Sequence, residues 1–416
     1  MVIRCIISRW GGTNSIQALY ELLRPRNVEI LQNADLIVFE KSLNDIGAFA
    51  NELECASLKV LKRNARWCFE TLHKLKRKVC VLLLPRYDCK QLYTEPINDF
   101  YRALCVEFGF NFVDVARFYE EHNLEDYAKS ADSVHPPLVI MRILGRKIAK
   151  YIEDFSLSCT MPKYTGAKFK ILTAKEMQGC AKESHLKFMQ NSRYSEETYM
   201  LYAGDSLAFP PQCNGAKIIG IHTWSRGLKD FNFRFFGAPM LIENKKASMV
   251  YETSAINCVF SVKDSFYVST PTTVRLGEEI PINMLNNALM PPPPNSKISI
   301  QKHWSPFINN PAYRRLDCVG VVGFLLVINE GIVVDFETRN LSNQNLNGDL
   351  TALLCPMIDE YLEFLEEYEK LEMNKKIYAK AWHYTCLLPR KIMKRCQIKL
   401  QKLFTKQPQI HEETLI

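Results

Sequence analysis

The sequence predicts an α/β protein in which a parallel-sheet domain is followed by an all-β sandwich-like domain and a helical C-terminal tail. Three observations support this prediction. Short apolar runs alternate with helical patterns over the first 155 residues, aromatic-rich runs separated by turn residues follow, and helical periodicity returns near the C-terminus. Because 416 residues exceed one ordinary core, we expect domains at 1–155 and 165–340 and a basic tail at 350–416.

The first domain is expected to contain a parallel sheet with helices on both faces, because its apolar runs are short and continuous. Pro137 suits the first turn of the last helix in this domain. In such sheets the functional site lies at the carboxyl ends of the strands. The predicted strands are 2–7, 34–40, 78–85 and 110–115, and the predicted helices are 15–23, 54–77, 93–108 and 137–152.

The second domain is expected to be a β-sandwich, because aromatic and β-branched runs such as "TYMLYAG" and "KIIGIHTW" are separated by Gly, Pro, Asn and Asp. His222 and Trp224 lie on one of these strands, where they would either line a sugar-binding face or belong to the core. His303 and Trp304 in "KHWSPF" leave the same alternatives open.

The composition excludes several classes of protein. A content of 47% hydrophobic and 24% charged residues is typical of a globular chain, and no stretch approaches the roughly 20 apolar residues of a membrane span. The 14 cysteines form no CxxC pair, which favours buried thiols and, for the sequence as written, a cytoplasmic location. The sequence has no cluster with metal-ligand spacing, no P-loop and no dinucleotide fingerprint. We therefore expect no metal, no cofactor and no nucleic-acid partner.

The stretch "LPRKIMKRCQIKLQKLFTK" combines many basic residues with apolar residues at helical spacing. A basic amphipathic helix of this kind can lie on an anionic membrane surface. The alternative is a solvated helix that packs on its own domain. The residues that would make a peripheral membrane contact are Arg390, Lys391, Lys394, Arg395, Lys399 and Lys402.

Three loops of the first domain carry residues suited to acyl chemistry: "WGGTNS", "KSLNDIGAF" and "ADSVHPP". A backbone N–H at Gly12 and the side-chain amide of Asn44 could both donate to an oxyanion. His135 could act as the general base, and Asp132, three residues earlier, could hold its tautomer. We expect the three loops to meet at one edge of the sheet.

This set of motifs resembles the SGNH (GDSL-type) hydrolase family, which carries Ser, Gly, Asn and Asp-x-x-His in four sequence blocks on a flavodoxin-like sheet. The resemblance covers roughly residues 1–155, with 32 residues from Gly12 to Asn44 and 91 from Asn44 to His135. It implies serine ester hydrolysis or acyl transfer with the roles given above. An acylated carbohydrate substrate, such as an O-acetyl sugar, follows only from analogy with the accessory β domain.

The nucleophile departs from the family pattern. The Gly-Asp-Ser block should precede the glycine block, yet Gly12 follows Met1 by only eleven residues. One possibility is that the block is missing, either because the protein has lost the nucleophile or because the reading frame begins late, in which case a signal peptide could be missing as well. The other is that "GGTNS" is a degenerate first block, with Thr13 in place of the serine. A later Gly-Asp-Ser ends at Ser206, which is a second candidate nucleophile or part of a β-turn.

Two classes of function therefore remain open. The chain is either an SGNH-type ester hydrolase or acyltransferase impaired by loss of the nucleophile block, or a non-catalytic interaction or carbohydrate-binding protein that retains the scaffold. Asp45, which follows Asn44, is expected to brace its loop. His73, on a basic helix, is expected to face solvent.

Overall fold

The computed structural model describes most of the chain up to Cys355. One compact unit spans Met1–Cys355 and a second spans Pro356–Ile416, in which residues 361, 366, 370, 373 and 374 are helical. The predicted strand at 2–7 and the basic helix with its six membrane-contact residues lie outside the described residues. In the first unit the structure describes residues 14–50, 57–125, 129, 134–179, 185–191, 194–225, 236–277, 298–302, 314–332 and 348–355.

Residues 14 to 150 alternate helices and strands close to the predicted positions. The three described strands form a parallel sheet in the order β1-β2-β3, with Leu36 opposite Lys78 and Cys80 opposite Asn111. The predicted parallel sheet is thus confirmed for these strands. The elements are α1 (Ser15–Leu23), α2 (Pro25–Gln32), β1 (Leu36–Phe39), α3 (Ser42–Ala50), α4 (Leu58–Lys74), β2 (Lys78–Leu83), α5 (Gln91–Phe108), β3 (Asn111–Asp114), α6 (Val115–Glu121) and α7 (Leu138–Lys150).

Local chemistry sets the ends of these helices. Ser57 caps α4, since its hydroxyl accepts a hydrogen bond from the Val60 N–H at 3.3 Å. Gly109 ends α5 with φ 62°, a left-handed conformation that glycine adopts without strain. Strand β2 between them is buried over almost its whole length, which explains its continuous apolar sequence.

The second half of the unit is built of β strands, as predicted, and most of their pairings are antiparallel. The middle sheet has the order β12-β9-β16-β7-β6, with β4 also paired to β16. The outer sheet has the order β14-β11-β10-β13-β8-β5, with β15 also paired to β10. The strands are β4 (Lys168–Thr173), β5 (Gln178–Gly179), β6 (Leu186–Gln190), β7 (Ser195–Tyr202), β8 (Ser206–Ala208), β9 (Lys217–Thr223), β10 (Phe236–Glu243), β11 (Ser248–Ser254), β12 (Cys258–Tyr267), β13 (Thr273–Leu276), β14 (Ile298–Lys302), β15 (Arg314–Arg315) and β16 (Cys318–Asn329).

The middle sheet is buried on both faces. Along β16, Leu325 and Val327 pack with α1, α4 and the parallel sheet, whereas Phe324 and Leu326 pack with the outer sheet. This alternation follows from the two-residue period of a strand. The regions 1–155 and 165–340 therefore share the hydrophobic cluster on one face of the middle sheet, whereas the cluster on its other face belongs to the second region alone.

A short segment beyond the β strands returns to the parallel sheet. Asp349 forms a parallel bridge with Phe112, and the Phe112 N–H donates to the Gly348 carbonyl at 2.9 Å. Helix α8 (Thr351–Leu354) follows directly. The segment thereby extends the sheet beyond β3. Gly348 and Asp349 lie between the regions predicted at 165–340 and 350–416, and α8 opens the region that the sequence predicts to be helical.

Candidate active site

The loop predicted to carry Asn44 is a helix. Helix α3 begins at Ser42, two residues after β1, and Asn44 lies in its first turn. The Glu40 side chain accepts a hydrogen bond from the Leu43 N–H at 3.3 Å, which caps the helix. The loop expectation was wrong because Leu43, Ile46 and Ala50 recur at helical spacing and the first two are buried.

Asp45, the neighbour of Asn44, is fully buried. Its Oδ1 accepts a hydrogen bond from the Ser15 N–H at 2.8 Å, and its Oδ2 accepts one from the Tyr101 hydroxyl at 2.7 Å. Burial raises the pKa of Asp45 to about 7, against the opposing effect of these hydrogen bonds. Asp45 thus fastens α3 to α1 and α5, a firmer version of the bracing role expected from the sequence.

Ser15 is the first residue of α1 and stands three positions after Gly12. Asn14 caps this helix, with its side chain accepting from the Ile16 N–H at 3.2 Å. The Cys68 thiol of α4 donates to the Ser15 carbonyl at 3.2 Å. The end of the glycine loop is therefore fixed to α3 and α4, while Gly12 and Thr13 themselves lie outside the described residues.

Arg86 is a residue at this edge that the sequence reasoning missed. It follows β2, and its Nη1 donates to the Leu43 carbonyl in the first turn of α3 at 3.0 Å. Its guanidinium also pairs with Asp88 through contacts of 2.7 and 2.9 Å. A Cβ atom at Gly47 would stand 2.4 Å from Arg86 Nη1, so the glycine makes room for the guanidinium. The only sequence signal was the position of "PRYD" directly after a buried strand.

His135 lies exposed in the bend before α7, whose N-cap is Pro137. Asp132 lies outside the described residues, so the distance between the imidazole and its expected carboxylate stays a prediction. The structure does place His135 three residues before a helix that packs beside α8, at the β3 side of the parallel sheet.

Ser206, the candidate nucleophile of the second half, begins β8 in the outer sheet. It follows a turn in which Gly204 has φ 88° and the Asp205 N–H donates to the Tyr202 carbonyl at 3.0 Å. His185 Nδ1 lies 2.7 Å from Asp205 Oδ2. This geometry favours the turn interpretation. The middle sheet also lies between the outer sheet, which carries Ser206, and the parallel sheet, in which β1 leads to Asn44.

Two of the histidines weighed from the sequence, His222 and His73, are buried, whereas His303 and Trp304 lie outside the described residues. His222 is fully enclosed, with Nδ1 at 3.1 Å from the Tyr20 hydroxyl and Nε2 at 2.7 Å from Asn257 Oδ1, which confirms the core interpretation. Burial lowers its pKa to about 4. His73 was expected in solvent, and this was wrong: its ring contacts Tyr164 and Ser158 at 2.6 and 3.0 Å. It lies on the face of α4 that packs on Phe108, so the basic residues around it gave a misleading signal.

A buried ion pair lies between α1–α2 and the middle sheet. Arg24 binds both carboxylate oxygens of Glu196 at 2.8 and 2.5 Å, and Arg26 adds a contact of 2.9 Å. Burial raises the pKa of Glu196, but the hydrogen bond from Arg24 and the surrounding positive charges together outweigh this effect, and the net pKa is lowered. The pair fixes the connection that runs from the candidate site to the β sheets.

Two features are absent from the described part of the chain. No helix there combines the length and apolarity needed to cross a bilayer. No group of three or more His, Cys, Asp or Glu side chains there could hold a metal ion. Neither family models, curated proteins nor solved structures match this chain.

Proposed function

We propose that this chain carries an SGNH-type ester hydrolase or acyltransferase scaffold that acts on acylated carbohydrate with impaired turnover. The proposal includes a flavodoxin-like arrangement for the parallel sheet, which the order β1-β2-β3 and the intervening helices support. The single observation that carries it is the hydrogen bond between the Ser15 N–H and Asp45. This bond brings the end of the Gly12 loop beside the residue that follows Asn44.

In the proposed chemistry, two donors face the substrate carbonyl oxygen. The Gly12 N–H and the Asn44 amide stabilise the negative charge that develops on this oxygen when a nucleophile attacks. Asn44 is suited to this role because its helix is anchored through Asp45 and through Arg86. Rigid support of this kind keeps the donors aligned without reorganisation during the reaction.

His135 would take the proton from the attacking hydroxyl and return it to the leaving alcohol, with Asp132 orienting the ring. The exposed position of His135 is compatible with access to a large acylated glycan. Thr13 and Ser206 remain the candidate nucleophiles. The location of Ser206 in the outer sheet supports Thr13, or an attacking water, over Ser206.

A second candidate function is binding without catalysis. The turn geometry at Gly204, Asp205 and Ser206 favours it, because the one Gly-Asp-Ser sequence of the chain has a structural explanation there. An interaction or carbohydrate-binding protein could keep the scaffold and its anchors.

The deciding experiment is aryl acetate hydrolysis by the full chain, together with labelling by a fluorophosphonate probe. We expect slow hydrolysis that falls at least about tenfold in His135→Gln and in Asn44→Ala, and little or no labelling. His122→Gln is the matched control, since that ring is also exposed and follows a helix. Hydrolysis unchanged in both site variants would refute the proposal, and labelling that Ser206→Ala abolishes would move the nucleophile to the outer sheet.

A further inference from the structure

The end of the middle sheet nearest the N-terminal half of α4 carries charged and aromatic side chains that the candidate site does not use. Tyr267 and Lys217 are direct neighbours in the pairing of β12 with β9, and Lys217 is opposite Val327 of β16. Val327 faces the core shared with α4. Because paired residues share a face of the sheet, this row also faces α4.

The row contains a paired cation and carboxylate beside an exposed ring. Lys217 Nζ lies 2.9 Å from Glu330 Oε1 and 5.9 Å from the centre of the Tyr267 ring. The Tyr267 hydroxyl donates to the same Glu330 oxygen at 3.4 Å. Tyr267 nevertheless keeps 52% of its surface exposed, and 41% of the Glu330 side chain is exposed. An aromatic surface with a donor and an acceptor at its rim is therefore open to solvent.

A second cation comes from α4. The Arg63 guanidinium lies over the Trp67 ring at 4.8 Å, and its Nε and Nη2 donate to Asn64 Oδ1 at 3.3 and 3.1 Å. Within the described residues no carboxylate lies within 4 Å of Arg63. The Trp67 ring packs against the Phe169 ring at 5.1 Å, and Phe169 lies opposite Val327 in the pairing of β4 with β16. Arg63 therefore lies beside the same row of the middle sheet.

The balance of charge favours an anionic ligand. Among the described side chains of this cluster, Arg63 and Lys217 contribute two positive charges, whereas Glu330, which is paired with Lys217, contributes one negative charge. The Glu330 carboxylate repels a phosphate dianion more strongly than a singly charged carboxylate at the same distance. It can accept hydrogen bonds from hydroxyl groups, which both donate and accept. An exposed tyrosine ring offers an apolar face on which a sugar ring can stack.

We propose that Arg63, Lys217, Tyr267 and Glu330 form a binding site for a carboxylate-bearing sugar of an acidic glycan. Arg63 and Lys217 bind the carboxylate, Glu330 accepts hydrogen bonds from ring hydroxyls, and Tyr267 stacks on the sugar ring. The site extends the carbohydrate element of the proposed function, and it requires neither His135 nor a nucleophile.

The test is calorimetric titration of the full chain with a galacturonate hexamer and with its methyl ester, in which a methyl group replaces the negative charge of each carboxylate. We expect the acidic hexamer to bind and the ester to bind at least about tenfold more weakly. Tyr267→Ala and Arg63→Gln should each weaken binding of the acid at least about tenfold. Tyr267→Phe, which keeps the ring, should retain most of the affinity.

Lys175→Gln is the control variant, because Lys175 is an exposed lysine paired with a glutamate elsewhere on the β sheets. Unfolding curves of each variant show whether the fold is kept, and Tyr267→Ala covers the case in which Arg63→Gln fails to fold. Failure to bind the acidic hexamer overturns the proposal, as does equal binding of the ester. Binding of single-stranded DNA in place of the hexamer overturns it in favour of a nucleic-acid site. Because binding is measured without turnover, loss of this site is distinguishable from failure of the proposed hydrolase.

Discussion

The backbone N–H of Ser15 donates a 2.8 Å hydrogen bond to the buried carboxylate of Asp45. The two residues are thirty positions apart, and the bond joins the start of α1 to the first turn of α3. A carboxyl group in this position stabilises the loop geometry but resists ionisation, since burial disfavours its charge. The local geometry and the pH dependence of stability are therefore linked through one side chain.

Asp45→Asn should change the pH dependence of unfolding. Burial raises the pKa of Asp45 in the folded state from 3.8 to about 7, so the folded protein holds a proton that the unfolded chain loses. This contribution to stability is present below pH 4 and is lost as the pH rises to 7, about 4 kcal/mol in all. We expect the free energy of unfolding of Asp45→Asn, relative to that of wild type, to rise by about 4 kcal/mol between pH 4 and pH 8 in urea unfolding experiments.

The control for this prediction is Asp154→Asn, at an exposed position, which should leave the pH profile within about 0.5 kcal/mol of wild type. A difference between Asp45→Asn and wild type that stays constant from pH 4 to 8 would show that Asp45 is ionised in the folded protein throughout.

His222→Gln should affect acid stability with the opposite sign. Burial lowers the pKa of His222 from 6.5 to about 4, so the unfolded chain binds a proton first. The stability present above pH 6.5 is lost as the pH falls through 4, by about 3 kcal/mol. The variant should lose less stability than wild type over this interval in urea titrations. The control is His122→Gln, which changes an exposed ring and should lose as much stability as wild type. A loss in His222→Gln equal to that of wild type would contradict a neutral buried imidazole.

Glu196→Gln should destabilise the junction between α1–α2 and the middle sheet. It removes the carboxylate that Arg24 contacts at 2.8 and 2.5 Å and leaves this guanidinium its longer, 3.3 Å contact with Glu21. Breaking a buried pair typically costs about 3–5 kcal/mol. The free energy of unfolding measures this loss. Glu197→Gln is a neighbouring control, since its side chain is 51% exposed, and it should cost less than about 1 kcal/mol. Similar losses in the two variants would mean that the Arg24 pair contributes little.

Gly348→Ala should loosen the segment that extends the parallel sheet beyond β3. Gly348 has φ 87°, and a Cβ there would stand 2.8 Å from the Phe110 carbonyl. We expect a loss of about 1–3 kcal/mol and faster hydrogen exchange at the Phe112 and Leu350 amides. Gly145→Ala is the control, because its Cβ would meet no atom within 4 Å and alanine favours a helix. Unchanged exchange at both amides would count against this pairing.

The sequence by itself indicated the three described strands and the helices α1, α4, α5 and α7 of the first half, but not α2, α3 and α6. It also indicated the all-β character of the second half. Pattern and length together separate buried strands from helices, because β2 is a short continuous apolar run, whereas α4 is a long segment whose apolar residues recur at helical spacing. It also marked Asn44 and Asp45 as a pair worth attention, and it weighed core burial for His222.

Only the tertiary structure decided which faces meet. Nothing in the local pattern shows that α1 is covered by both α4 and the middle sheet, or that the Arg24 guanidinium reaches Glu196 across 172 positions. His73 looked solvent-facing because its neighbours along the chain are basic, yet burial depends on contacts from Phe108 and Tyr164. Periodicity reports the environment of one segment, whereas long-range packing and ion pairs depend on how distant segments fit together.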